Sequence, residues 1–405
     1  MTIRRVRIVR WRLPLRQAFV TSRVQNVGRS GGVLVLETGS GVRGLGEIAP
    51  HPHAGESAVG QAIDLLSGAS STLIGGDAGR LLAEMPRWPA AGTALESAPG
   101  SSAATLALES ALIDLLAREQ GVPAFSLLGK GGRSGLAATR LLAIEAAMVS
   151  TVNTQRGAAA LHAGRVVAVG RPDARARGAE SSLAVAAVQA AGAGFSIVKI
   201  KVSTPLDALL AIRVVRQAAP GLCLRIDPNG TWSANDVRWF AEEVEPGAVD
   251  WLEQPLAPDS KEELPPRLAN GFKIALDESV QGVADVDRLG RLAKMSGSPS
   301  ALVLKAVQVG GLRSLLMCGE MSAAHGLRFA LSTGFESSLG VAALLHAGVA
   351  MISEPAPSGL SMADWLELDP VQPALPPRAW MVPPPGVGFG VKLDEAVLRR
   401  VQVHG

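Results

Sequence analysis

Short apolar runs alternate with stretches of helical periodicity from residue 196 to about residue 352. A run of five or six apolar residues followed by an amphipathic helix is one βα unit, and repeated units of this kind close into a parallel barrel. The pattern therefore predicts an α/β fold with a modified TIM (β/α)7β-type barrel over residues 131–370. Five of the runs are SIVKIKV, LCLRIDPN, VDWLEQP, KIALDES and ALVLKAV.

The two ends of the chain follow a different pattern. Residues 1–48 contain three segments of strand periodicity, the last two joined by the turn sequence TGSG, and residues 57–129 are mainly helical. Together they predict an α+β capping domain over residues 1–130, to which the Pro- and Gly-rich segment 371–405 returns. The first barrel strand is predicted in RVVAVG, residues 165–170.

Composition excludes several classes of partner. The 405 residues are 47% hydrophobic and carry a net charge of +3, with basic residues spread along the chain, which disfavours nucleic acid and membrane surfaces as partners. No apolar run reaches the roughly 18 residues of a membrane span. Cys223 and Cys318 lie among apolar residues and are interpreted as reduced core thiols, which favours a cytoplasmic location. The choice between monomer and homo-oligomer stays open.

Charged residues recur in these runs at nearly constant intervals. Lys199, Asp227, Glu253, Asp277 and Lys305 are separated by 28, 26, 24 and 28 residues, about one βα unit each. Three carboxylates at one barrel rim would repel one another unless a cation lay between them. Mg²⁺ suits such oxygen ligands, and Mn²⁺ could substitute for it. The alternative is that each acid is an ordinary strand end, capped by a helix amide or an arginine.

Lysine is scarce in this chain, with eight lysines against 31 arginines, so lysines inside apolar strands call for a chemical reason. Lys199 and Lys201 are two residues apart and would point to the same side of a strand. Beside a metal and each other, such amines can be tuned toward the pKa of a general base near neutral pH. Lys305 lies on a later strand and could act from the opposite side of a substrate. A solvated lysine pair on an edge strand is the alternative.

As an ordered set, these motifs resemble the enolase superfamily, in its muconate-lactonising-enzyme subgroup. The matching motifs are K-x-K, DPNG, EQP, DES and a late lysine followed by x-x-x-GG. The resemblance implies a Mg²⁺ site at Asp227, Glu253 and Asp277. It also implies abstraction of a proton α to a carboxylate, with a small-molecule carboxylate as substrate.

Three further segments, GEIAPHPHAGES, LSTGFESSLG and PSGLSMADWLELD, look like the o-succinylbenzoate synthase family. This resemblance implies syn-dehydration of 2-succinyl-6-hydroxy-2,4-cyclohexadiene-1-carboxylate in menaquinone or phylloquinone biosynthesis. It assigns Lys201 as the base that then helps hydroxide to leave. Lys199 would support the carboxylate, and Lys305 would stabilise the anionic intermediate as a cation.

Substrate contacts are expected at two strand ends. Arg225 shares the face of Asp227, although a purely structural ion pair would also explain it, and Asn229 could bond a ligand or water. Ser332, Thr333 and Gly334 end a predicted strand, where free amides could receive a carboxylate. A simple strand-to-helix cap is the alternative for these three residues.

Other reactions remain open. A dipeptide epimerase or N-acylamino-acid racemase would use Lys201 and Lys305 as bases on opposite faces of its substrate. The chain has MISEPAPSGLS where such epimerases tend to carry D-x-D, which favours the dehydratase. Acid-sugar dehydratases are disfavoured because LSTGFESS lacks histidine. A non-catalytic barrel is disfavoured because all three carboxylates and all three lysines are present.

Overall fold

The computed structural model describes most of the chain. It divides into two compact units, of which the first comprises Met1–Ala138, Asp277–Met295 and Ala301–Gly405, and the second comprises Thr139–Leu276 and Ser296–Ser300. None of the helices in the described part of the chain combines the length and the apolar character needed to cross a membrane. The described residues are 1–20, 25–85, 100–142, 174–265, 268, 271–360 and 365–403.

The first unit opens with an antiparallel sheet of three strands, which confirms the prediction for residues 1–48. The strands are β1 (Ile3–Val20), β2 (Gln25–Thr38) and β3 (Arg43–Ile48), with β2 in the middle. Gly41 adopts the left-handed conformation, φ 83°, in the TGSG turn, and its amide donates to Thr38 O at 3.1 Å. Glycine suits this position because it has no Cβ to clash there.

Helices pack on this sheet. α1 (Gly55–Leu73) and α2 (Ala78–Glu84) precede the long helix α3 (Ser101–Glu119), in agreement with the helical pattern predicted for residues 57–129. A side chain at Gly46 of β3 would collide with Ala107 O of α3, so glycine is required for this close approach. The short helix α4 (Phe125–Leu128) and strand β4 (Leu136–Ala137) follow.

In its described residues, the second unit contains five parallel strands in chain order. Thr204 and Asp207 form a capping box at the start of the helix Pro205–Ala218, and Ser233 and Asp236 form another at the start of the helix Ala234–Glu243. The strand predicted at residues 165–170 lies outside the described residues; within them, the strand Arg140–Leu142 pairs with the strand Ile197–Lys201. The elements are β5 (Arg140–Leu142), α5 (Ala174–Gly192), β6 (Ile197–Lys201), α6 (Pro205–Ala218), β7 (Cys223–Asp227), α7 (Ala234–Glu243), β8 (Val249–Glu253) and β9 (Ile274–Leu276).

The carboxyl-terminal part of the first unit continues the βα alternation. Its strands Ala301–Leu304, Arg328–Ser332 and Ala356–Gly359 are parallel. Val371–Gln372 pairs antiparallel with Lys392–Leu393, and Trp380–Met381 pairs antiparallel with β4. The elements are α8 (Val283–Ser296), β10 (Ala301–Leu304), α9 (Ala306–Val309), α10 (Leu312–Ala324), β11 (Arg328–Ser332), α11 (Ser338–Ala350), β12 (Ala356–Gly359), β13 (Val371–Gln372), β14 (Trp380–Met381), β15 (Lys392–Leu393) and α12 (Glu395–Val401).

Strands β5 to β9 of the second unit are parallel neighbours in chain order, and so are β10 to β12 of the first unit. Parallel strands that alternate with helices in both units, together with an amino-terminal α+β region, are the predicted fold class, which is therefore confirmed. The predicted domain limits at residues 130 and 370 stay predictions.

Candidate active site

Strand alternation sets the direction of the two lysines in β6. Val198 and Ile200 are fully buried, whereas Lys199 and Lys201 lie on the other side of the strand and are partly exposed. In the parallel register, Lys201 stands beside Asp227 at the end of β7. The sequence spacing of two therefore places both amines on one side, as predicted.

Lys199, Lys201, Asp227 and Glu253 form a chain of alternating charges, here called the strand-end cluster. Lys199 Nζ lies 2.7 Å from Asp227 Oδ2 and 2.5 Å from Glu253 Oε1, and Lys201 Nζ lies 3.2 Å from Asp227 Oδ2. The two carboxylate side chains are 1% and 2% exposed, against 18% and 28% for the lysines. Buried acids are thus held by amines that solvent can reach.

Asp227 is ionised because of these neighbours. Burial by itself would raise the pKa of this carboxyl group, but the ammonium groups of Lys199 and Lys201 outweigh burial and hold the pKa well below its ordinary value. The amide N–H of Asn229 adds a hydrogen bond to Asp227 Oδ1 at 2.9 Å. Asp227 is therefore a carboxylate at neutral pH, the form that a cation or an ammonium group requires.

Asn229 and Trp251 orient the cluster. The Asn229 side chain accepts a hydrogen bond from Lys201 Nζ at 2.7 Å, and its backbone adopts a left-handed φ of 51°. The Trp251 indole donates to Glu253 Oε2 at 3.3 Å. The contact with Lys201 makes Asn229 a partner of the proposed base, and its predicted contact with substrate stays a prediction.

Arg225 is buried, at 2% exposure, and its described contacts are to protein groups. Its Nε donates to Asp250 Oδ2 at 2.9 Å, its Nη1 donates to Thr139 Oγ1 at 3.2 Å, and its guanidinium stacks 3.4 Å above the centre of the Trp251 ring. These contacts fit the structural ion pair considered as the alternative. The role of Arg225 in substrate binding stays a prediction.

The first unit holds the remaining lysine. Lys305 directly follows β10 and precedes helix α9, and its Nζ lies 2.7 and 2.5 Å from the two oxygens of Asp277. Both side chains are buried, at 8% and 3% exposure. In contrast to the strand-end cluster, this is a paired arrangement of one ammonium and one carboxylate.

The amides at the end of β11 are engaged within the chain. The Thr333 amide donates to Gly359 O at 3.0 Å, and the Gly334 amide donates to Glu336 Oε2 at 2.5 Å. The expectation of free amides here is therefore wrong, because strand pairing takes one amide and a carboxylate two residues along takes the other. Binding of a substrate carboxylate by Ser332, Thr333 and Gly334 stays a prediction.

Sequence reasoning missed the buried charges around this turn. Glu47, at the end of β3, accepts hydrogen bonds from Ser337 N at 2.8 Å, Ser337 Oγ at 2.9 Å and Gly340 N at 2.8 Å, and so caps helix α11. Burial raises the pKa of Glu47 to about 7, and nearby Glu336 adds to this effect. A glutamate within the apolar segment GLGEIAP was the available signal.

The carboxylates of the strand-end cluster can be compared with a metal site. Among the residues that the structure describes, no three His, Cys, Asp or Glu side chains are grouped as a metal site requires. The Lys199 ammonium, however, touches oxygens of both Asp227 and Glu253, so a cation at that position would meet at least two carboxylate oxygens. This donor set fits a hard divalent ion. The participation of Asp277, in the first unit, stays a prediction.

Two family models match the chain. Residues 182–397 match the model described as "Enolase C-terminal domain-like", and residues 2–129 match "Mandelate racemase / muconate lactonizing enzyme, N-terminal domain". The chain belongs to the enolase superfamily. Its place within the superfamily is the muconate-lactonizing-enzyme subgroup.

Curated relatives of this superfamily member carry different names. It is 28% identical over 206 residues to a chloromuconate cycloisomerase of Pseudomonas putida, covering 50% of this chain and 54% of the relative. It is 29% identical over 250 residues to a hydrophobic dipeptide epimerase of Roseobacter litoralis, covering 59% and 60%. It is 30% identical over 189 residues to an o-succinylbenzoate synthase of Mycobacterium tuberculosis, covering 45% and 55%. The chain thus spans between half and two thirds of the length of these relatives.

Solved structures agree on the fold. The muconate lactonizing enzyme of Pseudomonas fluorescens, complexed with muconolactone, superposes with a TM-score of 0.79 at 21% identity, over 99% of both chains. The dipeptide epimerase of Enterococcus faecalis, complexed with Mg and a dipeptide, superposes with a TM-score of 0.77 at 18% identity, over 97% of this chain and 100% of that chain. At such identities the likeness concerns the fold alone.

Proposed function

We propose that this chain catalyses the metal-dependent syn-dehydration of 2-succinyl-6-hydroxy-2,4-cyclohexadiene-1-carboxylate to o-succinylbenzoate. The observation that carries the proposal is the pair of partly exposed ammonium groups, Lys199 and Lys201, on one side of β6 against the buried carboxylate of Asp227. Membership of the enolase superfamily and relatives named o-succinylbenzoate synthase support it.

In this proposal Lys201 acts twice. Its side-chain nitrogen takes the proton on the substrate carbon next to the carboxylate, and the electron pair of that C–H bond moves toward the carboxylate. The electrons then return to form a ring double bond as the C–O bond at carbon 6 breaks. Lys201 gives the proton to the departing hydroxide on the same face, so water and an aromatic product result.

The other charges hold the substrate in place. Lys199 supports the substrate carboxylate, and Lys305 faces the ring of the anionic intermediate as a cation. When bound, Mg²⁺ or Mn²⁺ would supply the positive charge that offsets the growing charge on the substrate carboxylate. Asp227, Glu253 and Asp277 would hold that ion. The proposed substrate contacts are Arg225, Asn229, Ser332, Thr333 and Gly334.

The proposal also covers the partners, the pathway and the cellular location of the protein. The substrate is a small carboxylate, no nucleic acid or membrane is a partner, and the reaction belongs to menaquinone or phylloquinone biosynthesis in the cytoplasm.

Dipeptide epimerisation is the second candidate. The buried Lys305 ammonium favours it, because epimerisation needs one amine to remove a proton and another to return a proton from the opposite face. The relative named hydrophobic dipeptide epimerase also aligns over a longer part of this chain than the o-succinylbenzoate synthase of M. tuberculosis.

The test is a substrate panel with purified protein and Mg²⁺. It contains the cyclohexadiene substrate, a set of hydrophobic dipeptides, and muconate, each measured with wild type, Lys201→Ala and Lys305→Ala. We expect turnover of the cyclohexadiene substrate, with loss of activity in both variants. Lys294→Ala is the matched control, because Lys294 is exposed on helix α8.

Solvent deuterium separates the two mechanisms. Epimerisation in D₂O incorporates deuterium at the α carbon of the product, whereas dehydration releases the α proton and leaves no hydrogen at that carbon. Turnover of dipeptides with deuterium incorporation, and none of the cyclohexadiene substrate, would replace the dehydratase by the epimerase. Undiminished dehydration by Lys201→Ala would reject the assignment of the base.

A further inference from the structure

A buried arginine bridges two loops of the first unit. Arg29 of β2 is 8% exposed, and all its described hydrogen bonds go to backbone carbonyl groups. Its Nε donates to Phe335 O at 3.0 Å, and its Nη2 donates to Pro50 O at 2.5 Å and more weakly to Gly334 O at 3.4 Å. One planar side chain therefore joins the loop after β3 to the turn after β11.

The turn that Arg29 holds is strained. Phe335 has a φ of 69°, a left-handed conformation that is unfavourable for a non-glycine residue and persists only where surrounding contacts fix it. The Phe335 ring meets Trp365 edge-on, with ring centres 6.1 Å apart. Arg29 bonds the carbonyl of this same residue, so it is one of the contacts that fix the turn.

The turn also lies close to the helix that follows Lys305. A Cβ added at Gly334 would be 3.5 Å from the Val307 side chain, two residues after Lys305, and 3.7 Å from the His51 ring. Gly334 itself is among the proposed substrate contacts. A shift of the turn would therefore change the surroundings of both Gly334 and the β10 end.

Lysine could not replace this arginine. Arg29 uses Nε toward the turn at Phe335 and Nη2 toward both Pro50 and Gly334, and a lysine has a single nitrogen at the end of a flexible stem. Burial lowers the pKa of Arg29, and the nearby carboxyl groups of Glu336 and Glu47 oppose this effect. The guanidinium remains charged, as a planar donor requires.

We infer that Arg29 is a positioning residue, whose guanidinium ties the loop at Pro50 to the strained Gly334–Phe335 turn and thereby sets the shape of the substrate pocket at the end of β11. The inference deepens the proposed function and rests on it for the role of Gly334. The position of the turn itself can be measured without any substrate.

The experiment compares Arg29→Lys with Arg43→Lys. Arg43 lies on the neighbouring strand β3, is 51% exposed and pairs with Glu37, so the same substitution there removes a surface contact. Hydrogen exchange followed by mass spectrometry reports the peptide that covers residues 328–342. We expect exchange there to become about tenfold faster or more in Arg29→Lys and to stay unchanged in Arg43→Lys, the size expected for a lost charged hydrogen bond.

Steady-state kinetics of the same variants give the second readout. With the substrate that wild type turns over, KM should rise about tenfold in Arg29→Lys while kcat falls less than about threefold, and Arg43→Lys should match wild type. A general loss of folded protein would instead lower kcat and leave KM unchanged. The urea midpoint of each variant is measured on the same samples.

The outcomes distinguish the positioning role of Arg29 from the proposed function. Unchanged exchange in residues 328–342 overturns the positioning role, as does an unchanged KM in a protein that is active. If exchange is faster in Arg29→Lys but the wild-type protein turns over no panel substrate, the positioning of the turn is supported and the proposed function is rejected. If Arg29→Lys does not fold, Arg29→Gln, which introduces no poorly placed charge, is measured in the same way.

Discussion

Asp227 and Glu47 are buried to a similar extent, at 1% and 4% exposure, yet their protonation is shifted in opposite directions. Two ammonium groups beside Asp227 hold its pKa below the ordinary value, whereas Glu47 meets backbone amides and a hydroxyl, and burial raises its pKa to about 7. Hydrogen bonds from neutral donors offset burial less than a formal charge does. The opposite pKa shifts in the strand-end cluster and in this helix cap therefore follow from nearby opposite charge rather than from depth of burial.

The largest expected effect is on catalysis by the strand-end cluster. Lys201→Met should lower kcat/KM for the proposed reaction about a thousandfold, the range of a general base, and should change the free energy of unfolding by less than about 1 kcal/mol, because Lys201 is partly exposed. Steady-state kinetics and urea unfolding measure the two quantities. Glu47→Gln is the comparison and should stay within about tenfold of wild-type activity. Equal losses of kcat/KM in Lys201→Met and Glu47→Gln would contradict the expected difference between the strand-end cluster and the helix cap.

The second prediction concerns the pair Lys305 and Asp277. Variants of this pair show whether opposite charge also contributes to the free energy of unfolding. Lys305→Met removes the ammonium from a buried carboxylate and should destabilise the fold by about 3–5 kcal/mol. The double variant Lys305→Met/Asp277→Asn should recover at least half of that loss, because the buried negative charge is also removed. Urea unfolding at pH 7 measures both. No recovery in the double variant would show that packing, not charge, is responsible.

Metal binding can distinguish Asp227 from Glu47 by unfolding measurements, without an assay of activity. If Mg²⁺ binds at Asp227 and Glu253, saturating it to about 100 times its Kd should add about 2.7 kcal/mol to the free energy of unfolding. Asp227→Asn should lose this increment and Glu47→Gln should keep it. Thermal and urea unfolding with and without chelator report the effect. An identical increment in Asp227→Asn would place the ion elsewhere.

The smallest effect is the dependence of stability on pH. Glu47 has a raised pKa in the fold, so it binds more protons folded than unfolded between about pH 4.5 and 7, and its contribution to stability falls as the pH rises through that window. The slope cannot exceed about 1.4 kcal/mol per pH unit for one proton. Glu47→Gln should flatten it. Asp227 has the opposite sign: its contribution is present above about pH 4 and is lost on acidification.

The sequence was most informative where strand geometry is local. Lys199 and Lys201 share a side because alternate residues of a strand point the same way, and Asp227 stands beside Lys201 because equal βα units keep parallel strands in register. The contact of Glu253 with Lys199 also follows from adjacent strand ends. These relations need only a repeat length and a period of two.

Contacts over long separations were not predictable. Glu47 caps helix α11 across 290 residues, and Arg29 reaches Phe335 across 306. A single sequence carries no pattern that links such positions, since each looks like an ordinary charged residue in a strand. The amides of Thr333 and Gly334 were misjudged for the same reason, because their acceptors are set by the turn and by β12 rather than by residue type.

Another contact between residues far apart in sequence affects folding during synthesis of the chain. Glu109 of α3 accepts hydrogen bonds from Leu312 N at 2.5 Å and from Arg313 Nε at 2.6 Å, so it caps helix α10 from 203 residues upstream. During synthesis α3 is complete long before its partner leaves the ribosome, and closing so long a loop slows folding. A nascent chain halted before residue 312 would leave the Glu109 carboxylate without these two donors.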